Sequence, residues 1–323
     1  MLQSFAGVTA EPIYPDCILL SVYNGAAFLT ELLQSLQRQT HTDWTLIWRD
    51  DGSTDQTRQI MQHFSESLES SRCLEVTQGD DHRGVASSFY LLLDHVPAGH
   101  YVAFCDQDDV WFPNKLERAV KALAPFSPKQ VPALYCSRQI LTDAGLKPFG
   151  VSARLPEKPV FLMALTQNIA TGCTVVLSPD AVHLVRSVVP PPFPTLHDWW
   201  SYLLVSGAGG AVITDNQPSL YYRQHQGNTV GVPTHYAARA LKAMRRGPSV
   251  FMSTFRANVR QLLLHAPMVQ GQNRAWLADI QRTLGMTGLA GWRARYCLLR
   301  KLVRMRRNSF MEQQVFRLWF ILG

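Results

Sequence analysis

The chain has 323 residues, 46% hydrophobic and 17% charged, which excludes a disordered polypeptide, and its six cysteines are too few and too scattered for a disulfide-stapled miniprotein. The net charge of +7 conceals two opposed parts: residues 1–234 hold 15 Lys/Arg against 22 Asp/Glu, whereas residues 235–323 hold 16 Lys/Arg and only Asp279 and Glu312. The cysteines form no Cys-x-x-Cys pair and several sit in apolar runs, so they read as reduced buried thiols in a cytoplasmic setting. The first residues, Met1 to Ala6, lack the basic start and apolar run of a signal peptide. The long uncharged stretches are too interrupted by polar residues to read as membrane spans.

Cys17–Tyr23 is a short apolar, β-branched run ending at Asn24-Gly25, and predicts a strand. A helix follows over Ala26–Gln39, with Phe28, Leu32, Leu33 and Leu36 at helical spacing. Thr45–Arg49 is a second strand, and Asp50-Asp51-Gly52-Ser53-Thr54-Asp55 a turn and N-cap before a helix carrying Ile60, Met61 and Phe64. Leu74–Thr77 is a weaker third strand and Val85–Val96 a third helix. Tyr101–Cys105 is a fourth strand running straight into Asp106-Gln107-Asp108-Asp109, and Pro113 starts a helix with Leu116, Val120 and Leu123 on one face. Beyond it, Ala133–Leu141 and Thr174–Leu177 read as strands, His197–Val205 as a helix, Ala211–Thr214 as extended chain and Tyr221–Gly231 as a loop. From His235 onward the pattern is basic amphipathic helix without strand signal.

Alternation of strand and helix implies βαβ units and a doubly wound, mostly parallel sheet with helices on both faces. Ligands of such sheets bind at the carboxyl ends of the strands, where both acidic clusters fall. Three carboxylates within four residues at Asp106–Asp109 repel one another unless a cation sits among them. Hard oxygen ligands of this kind suit Mg²⁺ or Mn²⁺ that also holds phosphates. The alternative is a solvated acidic turn capping the next helix, although a cap needs only one acceptor.

Ser21-Val22-Tyr23-Asn24-Gly25, Asp50-Asp51-Gly52-Ser53-Thr54-Asp55 and Asp106-Gln107-Asp108-Asp109-Val110-Trp111, in this order, resemble the family 2 glycosyltransferases of the GT-A fold. With His197-Asp198-Trp199-Trp200 and Tyr222-Arg223-Gln224-His225, the resemblance is strongest to the rhamnosyltransferase-like branch of bacterial surface polysaccharide synthesis. It covers roughly residues 15–230 and implies a GT-A domain, an α/β fold with a Rossmann-like mixed sheet, over 1–234, followed by a helical region over 235–323. It also implies a nucleotide-sugar donor, with dTDP-β-L-rhamnose favoured over a UDP-hexose, and a saccharide or lipid-linked acceptor. A sugar nucleotidyltransferase shares the sheet and acidic residues, but needs a Gly-rich phosphate loop where Val22–Ala26 offers only Gly25.

By the same resemblance Asp50 hydrogen-bonds the nucleotide base, Tyr23 packs against it, and Asp51 and Arg83 belong to the same nucleotide site. Asp108 and Asp109 divide the contacts to the metal and the ribose, with Asp106 nearby in the nucleotide site; His225 completes the metal sphere with them or is an ordinary loop histidine, and Arg223 pairs with the diphosphate or makes a surface ion pair. Asp198 is the base that removes the proton of the acceptor hydroxyl. Trp199 and Trp200 stack on sugar or pack in the core, and His197 stands where many relatives carry Glu. One base and direct displacement predict inversion at the anomeric carbon.

Leu289, Trp292, Tyr296, Leu299 and Val303 recur at helical spacing, with Arg293, Arg295, Arg300, Arg304, Arg306 and Arg307 largely elsewhere around the helix. Phe310, Phe316, Trp319, Phe320, Ile321 and Leu322 add an apolar end. This composition suits an anionic membrane surface, here the inner face of the bacterial cytoplasmic membrane, better than nucleic acid. The alternative is packing on the catalytic domain or in a homodimer.

Overall fold

The computed structural model describes residues 16–77, 82–190, 195–225 and 236–323. Residues 1–6, the 226–231 part of the expected loop and the boundary at 234/235 lie outside them. The first half alternates as expected: β1 (Asp16–Val22), α1 (Ala26–Gln37), β2 (Trp44–Asp50), α2 (Thr57–Glu66), β3 (Cys73–Glu75), α3 (Val85–Asp94) and β4 (Tyr101–Cys105). Here β1 pairs in parallel with β2 and β4, and β2 with β3. Next come β5 (Val110–Trp111), α4 (Lys115–Leu123), β6 (Ala133–Thr142), β7 (Pro148–Val151), α5 (Phe161–Ala164), β8 (Val176–Leu177), α6 (Pro179–Arg186), α7 (His197–Gly207) and β9 (Ala211–Arg223).

These strands turn the sheet into a mixed one. The order is β3-β2-β1-β4-β8-β6-β9-β5, with β7 alongside β6. β8 runs antiparallel to both β4 and β6, β9 runs parallel to β6, and β5 antiparallel to β9. Tyr221–Arg223, expected in a loop, are the end of β9. Polar residues and Pro218 hide that strand in the sequence, and the β6 register shifts beside it accommodate the proline.

Strand alternation divides the core. Cys17 and Leu19 of β1 belong to one cluster with Phe89, Phe104 and Trp200, while Ile18, Leu20 and Val22 join Leu29, Leu32, Met61 and Leu116 in the other. Helices therefore cover both faces.

The C-terminal helices are α8 (Tyr236–Leu264), α9 (Gly271–Leu284), α10 (Gly288–Lys301) and α11 (Phe310–Leu322). They have no separate core: Phe255, Leu277, Ile280, Leu298, Phe316 and Phe320 belong to the same cluster as Leu19 and Trp200. Polar contacts fix the junction, with Asn273 Nδ2 donating to the Gly207 carbonyl at 2.9 Å and Thr166 Oγ1 to that of Arg306 at 2.8 Å. Arg295, expected on a basic outer face, is buried, and its guanidinium donates to carbonyls at two helix ends, Met286 at 2.9 Å and Ile321 at 2.9 Å. A cation at carbonyl-rich helix ends is favourable. Phe316, Trp319 and Phe320 are likewise interior.

Candidate active site

The parallel register brings the motifs to one edge of the sheet. Val22 lies opposite Asp50 and Leu20 opposite Cys105, so Tyr23, Asp50 and Asp106 all stand at or just beyond the carboxyl ends of neighbouring strands. The β1–α1 turn is laced to the next loop. Asn24, in the left-handed region with φ 47°, accepts from Thr54 N–H at 2.8 Å, and its own N–H donates to Ser53 Oγ at 2.9 Å. Asp50 Oδ1 accepts from Ser53 N–H at 3.0 Å and from its hydroxyl at 2.6 Å. Tyr23 is 44% exposed, and its ring lies 4.4 Å from that of His82, a neighbour the sequence did not suggest.

Asp51 differs sharply from Asp50. It is buried, and accepts from the backbone N–H groups of Arg83 at 2.9 Å and Gly84 at 2.8 Å and from the Arg49 guanidinium. Burial pushes its carboxyl up, but these donors outweigh burial and hold it below the usual range. Asp51 thus anchors the loop that leaves the Arg83 side chain exposed.

The acidic turn is locked by the end of β9. Arg223, read from the sequence as facing a diphosphate, is buried; its Nε donates to the Asp108 carbonyl at 2.9 Å, and its guanidinium also reaches the Ala144 carbonyl and Glu31. Arg223 N–H lies 3.4 Å from Asp109 Oδ1, a long contact to a fully buried carboxylate. Two residues on, His225 Nε2 comes within 2.8 Å of Asp108 Oδ2. Asp106, Asp109 and Cys173 each place a potential ligand atom within 4.8 Å of the others. Burial and then the Asp108 charge raise both Asp106, to about 7, and Asp109. A divalent cation would relieve that repulsion, and the oxygen and imidazole donors suit Mg²⁺ or Mn²⁺. Lys115, fully buried with its Nζ 3.5 Å from the Trp111 ring centroid, partly offsets the same field.

Asp198 lies in the first turn of α7. Its Oδ2 accepts from Gly172 N–H and from Asn168 Nδ2, both at 3.1 Å, and its Oδ1 from Trp199 N–H at 2.6 Å. Burial raises its carboxyl to about 6 despite these donors. Gly172 lets the backbone approach, since a Cβ there would sit 3.2 Å from His197 Nε2. His197 is buried 4.0 Å from the Phe89 ring and 4.6 Å from that of Phe104, and burial depresses it to about 3, so it is neutral. Trp200 is core, whereas Trp199 is half-buried with its indole N–H donating to the Ala164 carbonyl at 2.8 Å. Asn168 and Gly172 carry no motif, so nothing in the sequence marked them.

Residues 17–127 match the family model described as Glycosyl transferase family 2. The chain carries a family 2 glycosyltransferase domain. Over 237 residues, 68% of this chain and 76% of the other, this glycosyltransferase is 26% identical to the dTDP-rhamnosyl transferase RfbG of Shigella flexneri. Over 207 residues, 64% and 72% of the two chains, it is 25% identical to the UDP-Glc:alpha-D-GlcNAc-diphosphoundecaprenol beta-1,3-glucosyltransferase WfgD of Escherichia coli. The solved structure of S. aureus TarS 1–349 in complex with UDP-GlcNAc matches 88% of the glycosyltransferase and 81% of its own chain, with a TM-score of 0.59 at 14% identity, which shows the shared GT-A fold.

Proposed function

We propose that this glycosyltransferase transfers L-rhamnose from dTDP-β-L-rhamnose, with inversion, to a lipid-linked saccharide acceptor in bacterial surface polysaccharide synthesis. The observation that carries the reading is the joining of two carboxylate groups in one field. Asp106 is raised first by burial and then by the charges of Asp108, which lies 2.8 Å from His225 Nε2, and of Asp198, which Gly172 N–H holds at the start of α7. A leaving diphosphate and an attacking hydroxyl need those two groups at neighbouring positions. The rhamnosyl donor rests on the similarity to the Shigella enzyme, and the lipid-linked acceptor on that to the Escherichia one.

Tyr23 and Asp50 receive the base, and Asp106 stands beside the ribose and diphosphate. Asp108 and His225 would hold a divalent ion, together with an oxygen of Asp106 or Asp109; when bound, it neutralises charge on the leaving diphosphate. Asp198 takes the acceptor proton as the hydroxyl oxygen attacks the anomeric carbon. The bond to the diphosphate breaks on the opposite face, and the nucleoside diphosphate leaves with the electron pair. Incubation with dTDP-β-L-rhamnose, Mn²⁺ and extracted lipid-linked glycans should give an α-linked product by NMR; a β-linked product contradicts the single-base mechanism.

Because Asp198 acts only when ionised and its carboxyl is raised to about 6, kcat/KM should fall about tenfold per pH unit below that value. A profile flat from pH 7 to pH 5 removes Asp198 as the base.

The place of action is an anionic membrane surface. Among the described residues no helix is long and apolar enough to cross a membrane. α10 buries Gly291, Arg295 and Leu298, and exposes Leu289, Trp292 and Tyr296 by 75%, 46% and 51% on the opposite face, with Arg293 and Arg300 beside them, also exposed. Aromatic residues bordered by arginine fit the headgroup level of an anionic bilayer. Deleting this region would open the shared core, so surface variants are the sound test. Trp292→Glu with Tyr296→Glu should weaken binding to phosphatidylglycerol vesicles at least tenfold without lowering Tm; unchanged sedimentation refutes the surface.

A further inference from the structure

Gln107 is the residue of the acidic turn that takes no part in the scheme above. Its side-chain amide makes a two-way contact with the backbone N–H and C=O of one residue, 84 positions away. Oε1 accepts from Tyr23 N–H at 2.8 Å, and Nε2 donates to the Tyr23 carbonyl at 2.9 Å. A primary amide has one acceptor and two donors in a plane, so it pairs with a backbone as a neighbouring strand would. The contact is packed as well as bonded, because a Cβ at Gly25 would fall inside the Gln107 carboxamide. On its other side the same turn is tied to the 53–57 segment, by Asn24 N–H to Ser53 Oγ at 2.9 Å, Gly25 N–H to Thr57 Oγ1 at 2.8 Å and Ala26 N–H to Asp55 Oδ2 at 3.1 Å.

We infer that Gln107 is a positioning residue that holds the Tyr23 end of the donor site in fixed register with the Asp106 and Asp108 end. The inference rests on the donor-site reading above. Glutamine alone meets the requirement. Glutamate at 107 places a carboxylate oxygen against the Tyr23 carbonyl, with no proton to donate and a further charge between Asp106 and Asp108. Asparagine is one methylene too short to reach. Neither end binds a different ligand when the register loosens; the two ends cease to bind one donor together.

The test is calorimetric titration of dTDP and UDP, each with Mn²⁺, into the full chain and its variants. Gln107→Ala should weaken the better nucleotide about tenfold, and Gln107→Glu more, with donor KM rising by the same factor and kcat changing less than threefold for Gln107→Ala. Tyr23→Ala should cost at least tenfold in the native background but less than threefold on top of Gln107→Ala. Gly25→Ala should reproduce the loss caused by Gln107→Ala and add nothing to it. If Gln107→Ala lowers Tm by more than a few degrees, Gln107→Met, which keeps the volume and loses both hydrogen bonds, takes its place. Affinity and KM within twofold of native, or Tyr23 and Gln107 losses that simply multiply, overturn the inference while native binding stands. If the native chain binds neither nucleotide, the donor-site reading falls and the inference with it.

Discussion

Asp198→Asn should lower turnover by roughly a thousandfold while leaving nucleotide affinity within about threefold. The substitution is nearly isosteric, and its carbonyl oxygen can still accept from Gly172 N–H and Asn168 Nδ2, at the cost of the Trp199 N–H contact, which the amide nitrogen cannot accept. What disappears is the capacity to take a proton. Burial already disfavours the ionised form, raising it to about 6, so removing the charge should not destabilise the fold. An unchanged or higher Tm combined with lost turnover separates catalysis from folding. Residual turnover above a tenth of native would place the base elsewhere.

The second large effect is expected at the acidic turn. Asp108→Asn removes the charged oxygen facing His225 Nε2 at 2.8 Å and leaves a neutral amide. If these groups hold the divalent ion, Mn²⁺ binding followed by electron paramagnetic resonance should weaken by a factor on the order of 10², with turnover falling at least as far. The peptide at 108 stays fixed, because Arg223 Nε still donates to its carbonyl. Native Mn²⁺ affinity in this variant would move the ion to Asp106, Asp109 and Cys173, the other group of ligand atoms lying within 4.8 Å of one another.

The parts of the fold legible in the sequence are those written locally. β1, β2 and β4 are apolar runs, and each ends at a motif, so the edge that gathers Tyr23, Asp50 and Asp106 follows from parallel pairing. Adjacent aspartates could not be told apart by composition. Asp50 ends a strand and faces the turn at Ser53, whereas Asp51 is turned inward to hold the Arg83 loop. Arg223 looked like a ligand because arginine suits phosphate, yet β9 carries it beneath the acidic turn, and β9 was obscured by Pro218 and its polar neighbours.

Periodicity in α10 revealed two faces without saying which one is inside. The face with Arg295 and Leu298 is buried because the ends of α9 and α11 offer carbonyls to a guanidinium, and the aromatic face is left outward. The two oppositely charged parts of the sequence therefore share one of the two core clusters. The acidic part surrounds the proposed nucleotide and cation site, and the basic part carries the surface proposed to meet lipid.

A nucleotide-sugar donor held with a divalent ion at Asp108 and His225 can be probed by a thermal-shift panel of dTDP-, UDP- and GDP-sugars with and without Mn²⁺, on the native chain and on Asp108→Asn. Stabilisation by dTDP-rhamnose should exceed that by the others, be larger with Mn²⁺ in the native chain and be independent of Mn²⁺ in the variant. No stabilisation by any nucleotide sugar, or an equal Mn²⁺ effect in both proteins, would contradict this donor and ion site.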